Sequence, residues 1–179
     1  MSETPDIRKT VEENRGTLKK LQLKIPALRE YRKLEDIRVA DQLLRKQISD
    51  KLDDSKAKLE ELRKTITAKN DFSNLTIIGN AVSKIQQVSG AIQHAQQGSA
   101  GISPNIRIDE VVLNKLYEYD FDSVNTSEQI FTTCSNAVSD YNTGRQIVDI
   151  ASQITSLLDS LGMSWKKRLD SVENILVTK

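Results

Sequence analysis

Between Ala27 and Lys69 the sequence contains neither proline nor glycine. Apolar side chains recur there at Leu34, Ile37, Leu44, Ile48, Leu52, Leu59, Leu62 and Ile66, with charges at most other positions. Steps of three and four set one narrow seam along one side of a helix. The spacing predicts a helix of about 40 residues, roughly 60 Å long at 1.5 Å per residue. Such a rod has too much polar surface to lie inside a core, so its seam needs other helices, from this chain or another. The expected fold is all-α.

The seam is imperfect. Ile48 to Leu52 is an added step of four, a stutter that locally unwinds a left-handed supercoil. Asp41 and Ser55 stand at seam positions, where polar groups fix register or partner number at some loss of stability. A less regular intramolecular bundle fits the same pattern. Exposed acids are expected to form helix ion pairs such as Glu60 with Lys64 and Asp54 with Lys58.

Upstream, Thr4-Pro5-Asp6 is a helix start: a capping hydroxyl, proline in the first turn and an acid at the positive end of the dipole. Ile7, Val11, Leu18, Leu21, Ile25 and Leu28 continue the rhythm. Pro26 then either kinks one long helix or turns a corner that folds residues 5–24 back along the rod. The change of seam phase across 28–34 favours the corner. Residues 1–69 therefore form one expected unit, a coiled-coil hairpin or kinked rod, and residues 70–179 a second, a helical bundle.

Asn70-Asp71 is the first break, with Ser73 or Asn74 as the next cap. Segment 72–97 differs in kind. Ile78, Val82, Ile85, Ile92 and Ala95 form a seam, Lys84 is its one formal charge, and its other face is rich in Asn, Ser and Gln. Burial between helices suits this face better than membrane contact, because membrane-surface helices set Lys/Arg opposite Trp or Phe. Gly98-Ser99-Ala100-Gly101 reads as a loop. Ser103-Pro104 opens a helix expected to stop near Tyr119. Asn125-Thr126-Ser127-Glu128 reads as a capping box that starts another. Gly144 and Gly162 are expected to end two more helices, and no alternating strand of useful length occurs.

Composition narrows the chemistry. The net charge of +1 hides a split: residues 1–69 carry 18 Lys/Arg against 13 Asp/Glu, and residues 70–179 carry 8 against 12. Cys134 is the one cysteine, so no intrachain disulfide can form and a reducing, cytoplasmic setting is expected. One histidine, His94, and one cysteine cannot build the usual metal sites. No phosphate-cradling or dinucleotide glycine motif occurs. The adjacent acids Glu12-Glu13, Asp53-Asp54 and Glu60-Glu61 lack the Glu-x-x-His spacing of metal-binding bundles. No catalytic residue, cofactor or metal is expected, and the chain is not read as an enzyme.

The sharpest local signal is a basic run: Arg15, Lys19, Lys20, Lys24, Arg29, Arg32 and Lys33, against one acid, Glu30. Such a patch suits an anionic membrane surface or an acidic partner. Nucleic acid fits poorly, since only Tyr31 is interleaved and no recognition motif appears. The expected function is a non-catalytic helical scaffold or adaptor that binds a protein partner or itself through helix packing. Leu44, Ile48, Leu52, Leu59 and Leu62 are its contact residues if the seam is intermolecular. The alternative is a peripheral membrane-binding or membrane-active protein using the basic cluster 15–33 and the segment 72–97.

Overall fold

The computed structural model describes residues 16, 19–25, 34–95 and 110–177. All regular structure among the described residues is helical, as the periodicity requires. Four long helices carry the fold: α1 (Leu34–Ala68), α2 (Leu75–His94), α3 (Glu110–Asn142) and α4 (Ile147–Val177). Residues 19–24 form a short helical segment, and a 3-10 turn, Phe72–Asn74, leads into α2.

The packing is that of a four-helix bundle. Helix α1 lies along α2 and α3, and α4 lies along α3 and α2, which leaves α1/α4 and α2/α3 on the diagonals. Lys69 reaches Asn142 at 2.7 Å, so α1 and α3 end together and run parallel. Arg45 of α1 meets the last carbonyls of α2, and Arg168 near the end of α4 meets Asp41 of α1. Both α2 and α4 are therefore antiparallel to α1.

The seam of α1 is satisfied inside this chain. Leu44, Ile48, Leu52, Leu59, Leu62 and Ile66 are each at most 1% exposed. The same apolar cluster holds Ile78, Ala81 and Ile85 of α2, Ile130 and Cys134 of α3, and Ile150, Ile154 and Leu158 of α4. It runs without interruption across the boundary expected near residue 70. Ser55 is tolerated on the seam because its hydroxyl donates to the Lys51 carbonyl one turn back, at 2.7 Å.

Two turns close the bundle at the end where α1 and α3 stop. Asn70 takes a left-handed φ of +57° and Gly144 one of +95°. In both, the next amide donates back to a carbonyl five residues earlier: Asp71 to Ile66 at 3.1 Å, and Arg145 to Asp140 at 2.9 Å. This is the Schellman arrangement, which satisfies the free carbonyls of a helix end. Glycine enters the left-handed region at little steric expense, and asparagine is one of the few other residues that visits it readily.

Three expected breaks are corrected. Helix α3 runs unbroken through Tyr119 and through the Asn125–Glu128 box. The reason is a continuous buried stripe, Leu116, Asp120, Ser123/Val124, Ser127, Ile130, Cys134 and Ala137, in which Asp120, Ser123 and Ser127 are polar. Helix α4 likewise passes through Gly162, where a glycine costs about 1 kcal/mol relative to alanine. Leu158, Leu161, Trp165 and Arg168, all buried on either side of it, hold the helix there. Glu60 pairs with Arg63 at 3.0 Å rather than with Lys64, and Lys58 pairs with Glu61 at 3.1 Å rather than with Asp54. The expected loop at 98–101 and the starts at Thr4-Pro5 and Ser103-Pro104 lie outside the described residues.

Candidate functional site

The surface of interest is the groove between the parallel helices α1 and α3, because a further helix sits in it. Leu21 and Ile25 are four residues apart and so share one edge of the segment 19–25. They are 1% and 4% exposed and belong to the main apolar cluster. Between them in sequence, Lys24 forms an ion pair with Glu128 of α3 and lies 5.9 Å from the centre of the Phe121 ring. The side-chain amide of Gln47, on α1, donates to the Lys24 carbonyl at 3.5 Å. Unbroken helix would separate residues 24 and 47 by roughly 34 Å, so the segment 19–25 is not a straight continuation of α1. Pro26, the expected corner, lies outside the described residues.

The basic run divides in two. Lys19 and Lys20 are exposed, whereas Lys24 is committed to Glu128. Leu23, 63% exposed, shares the outer side of the segment with the first two. Arg15, Arg29, Arg32 and Lys33 lie outside the described residues. The five seam residues Leu44, Ile48, Leu52, Leu59 and Leu62 are covered by this chain's own helices, which leaves the intermolecular version of the seam no exposed surface. In segment 72–97, Ile78, Val82, Ile85 and Ile92 are buried in the bundle.

On the other side of the bundle, α2 and α4 form an open groove of about 720 Å³, lined by small and aliphatic side chains including Ile77, Ala81, Val148, Ala151 and Met163. Lys84 and Asp159, 2.7 Å apart, bridge it.

At the end of the bundle where α2 and α4 finish, four ionisable side chains are buried together. Arg45 Nε donates to Asp41 Oδ2 at 2.7 Å, and Arg168 lies 2.7 Å from Asp41 Oδ1. Arg168 Nε also donates to Asp120 Oδ1 at 2.5 Å. Arg45 extends to the carbonyls of Ile92 and Ala95, 2.8 Å each, where positive charge also suits the negative end of the α2 dipole. Both guanidiniums lie over the Trp165 ring, Arg45 at 5.2 Å and Arg168 at 4.8 Å from its centre. Two acids and two arginines balance in charge, and none of the four is more than 8% exposed.

Burial raises the Asp120 carboxyl above its ordinary value, with the Asp41 charge adding to it and Arg168 opposing. Burial alone would lower Arg168, but the charges and hydrogen bonds of Asp120 and Asp41 outweigh it and hold the guanidinium above its usual value. Asp41 was legible as a polar seam residue. Arg45, Asp120 and Arg168 were not, because an isolated charge on a helix looks the same whether its partner is water or a residue 48 positions away.

Cys134 is fully buried, and burial pushes its thiol up to about 12. His94 is exposed in the last turn of α2. Among the described residues no group of three or more His, Cys, Asp or Glu is placed to hold a metal ion. No described helix is long and apolar enough to cross a membrane. No family model matches the chain, and the comparisons with curated proteins and with solved structures found no match.

Proposed function

We propose that the protein is a non-catalytic helical adaptor, acting in the cytoplasm by receiving amphipathic helices in the α1/α3 groove. One observation carries this reading: the groove already holds a helix, through two aliphatic side chains and one ion pair. Those are the elements of helix-in-groove recognition, apolar anchors four residues apart with a polar contact at the rim. The seam residues Leu44 to Leu62 support the groove from beneath and are not themselves the contact surface.

The test is binding in trans. In the full-length chain carrying Leu21→Asp and Ile25→Asp, the segment leaves the groove, because burying either new carboxylate is strongly unfavourable. A labelled synthetic peptide spanning residues 16–28 is then titrated and its anisotropy followed. Saturable binding that disappears when the peptide itself carries Leu21→Asp and Ile25→Asp supports the adaptor. No binding to the undocked chain refutes it.

A second reading has its own observation. Lys19, Lys20 and the exposed Leu23 share one side of the short helix, which suits attraction to anionic lipid, at ~1 kcal/mol per basic residue near such a surface. Flotation with anionic vesicles at low salt, lost in Lys19→Glu/Lys20→Glu, would favour it. The apolar side of 72–97 contributes nothing to this reading while it is packed in the bundle.

A further inference from the structure

We infer that α4 beyond Gly162 is a flap, which opens as a unit about that glycine and carries Trp165 and Arg168 out of the bundle. This movement is independent of what the α1/α3 groove receives.

The pivot is set by where the long helices can bend. Helices α1 and α3 contain no glycine and form the stiff half of the bundle. Helix α4 contains one, Gly162, with Ser160 and Ser164 two residues to either side. Sharp bends in long helices fall at such Gly/Ser pairs. A glycine inside a helix is required where a neighbour leaves no room for a side chain, yet a Cβ at Gly162 would meet nothing within 4 Å. Packing therefore does not account for this glycine, and the freedom of its backbone does. Gly79 and Gly90 of α2 are equally open, but α2 carries none of the buried charges.

The load on the flap is a latch. Arg168 is its buried cation, and the ion pairs of that guanidinium run to other helices, to Asp41 of α1 at 2.7 Å and to Asp120 of α3 at 2.5 Å. Charges removed from water in this way offset their desolvation only while each partner is in place. If Arg168 lifts, Asp120 loses its base, and Trp165 leaves the Arg45 guanidinium that lies 5.2 Å from its ring. A half-open flap keeps the desolvation and loses the bonds, so the end is either shut or open.

The layer beneath the latch gives the open form its advantage. Ser49 follows Arg45 by four residues, Ser123 follows Asp120 by three, and Trp165 precedes Arg168 by three. Because α1 and α3 are parallel and α4 is antiparallel, all three steps lead toward the middle of the bundle. Ser49 Oγ, Ser123 Oγ and Trp165 Nε1 are buried with no hydrogen-bond partner among the described residues. A polar atom left unpaired inside a protein is desolvated without compensation. Lifting α4 from Met163 onward lets water into this layer and rehydrates the four charges above it.

Native-state hydrogen exchange of the full-length chain in low urea, with acrylamide quenching of Trp165, tests the flap. The amides of 164–171 should share one level of protection, below that of 147–158, through an opening that low urea barely accelerates. Simple fraying differs: protection rises steadily from residue 177 inward, and Trp165 stays unquenched. Gly162→Ala fits the open space and favours helix, so it should slow the shared opening about five-fold and reduce quenching in step. Gly79→Ala is the same replacement in α2 and should leave both readings at their wild-type values. Exchange of 164–171 only together with 147–158, a fraying gradient, or an opening that Gly162→Ala does not slow each overturns the flap. If Gly162→Ala disturbs the fold, the wild-type exchange pattern decides alone.

Discussion

The two ends of the bundle fasten the same helices by opposite means. At one end, Asp41, Arg45, Asp120 and Arg168 are buried and tie all four helices at one point. At the other, Asp71 accepts hydrogen bonds at the surface from Ser73 at 2.9 Å, Asn74 at 2.7 Å and Tyr141 at 2.8 Å. Lys69 adds its bond to Asn142 and stacks 4.5 Å from the Tyr141 ring. The buried end uses charges that have lost their water and depend wholly on one another. The surface end uses hydrogen bonds that water can replace. The first should be intolerant of single changes, and the second forgiving.

The largest expected effect follows from removing Asp41, which serves both arginines. Asp41→Ala leaves two guanidiniums buried with one carboxylate, and breaking a buried pair this way costs about 3–5 kcal/mol. Urea unfolding followed by circular dichroism measures the loss. A fall no larger than that of Asp71→Ala would erase the contrast between the ends.

Next comes pH, where the two ends carry opposite signs. Asp120 lies above its ordinary value of 3.8 in the folded chain, with burial the main cause. Its contribution is therefore present below pH 3.8 and lost as pH rises through the raised folded value. Asp71 lies below 3.8, held down by the hydrogen bonds from Asn74, Tyr141 and Ser73. Its contribution is present above pH 3.8 and lost as pH falls through the lowered value. Asp120→Asn should flatten the decline on the alkaline side of 3.8, whereas Asp71→Asn should matter at neutral pH and converge with wild type in strong acid. Unfolding midpoints across a pH series would show both, and equal slopes in the two variants would contradict the assignment.

The smallest effect is a control in the middle of the bundle, between the ends. With its thiol near 12, Cys134 bears almost no thiolate at pH 8 and should resist alkylation in the native chain. In urea it should react at the rate of an ordinary cysteine. Reaction under native conditions at the unfolded rate would mean that the bundle opens between its two fastenings.

Much of this architecture was legible from spacing alone. The seam from Leu44 to Ile66 needed only its period of three and four, and Asn70 and Gly144 needed only their tolerance of a left-handed backbone. What escaped was any position where a buried stripe turns polar. Asp120, Ser123 and Ser127 disguised the middle of α3 as a loop, because a polar residue in a sequence reads the same whether its helix buries it or not. Ser127 donates to Val124 within its own helix at 2.7 Å, but Asp120 needs Arg168 of α4. Asp41 was read as a residue that fixes register or partner number; its partners are Arg45 and Arg168 of the same chain. In the α1/α3 groove, the step from Leu21 to Ile25 was visible, but nothing local distinguished Lys24 from the other six bases of its run. Only Glu128, 104 residues away, does so.

Trp165 is the chain's sole tryptophan, and two cations lie over its ring while its indole nitrogen is unpartnered among the described residues. Its emission is therefore an optical gauge of a single locality. Colour and quenching will register loosening around the paired guanidiniums while the helical signal of the remaining molecule is still intact, so one lamp set at the excitation wavelength of indole separates partial melting from collapse of the whole.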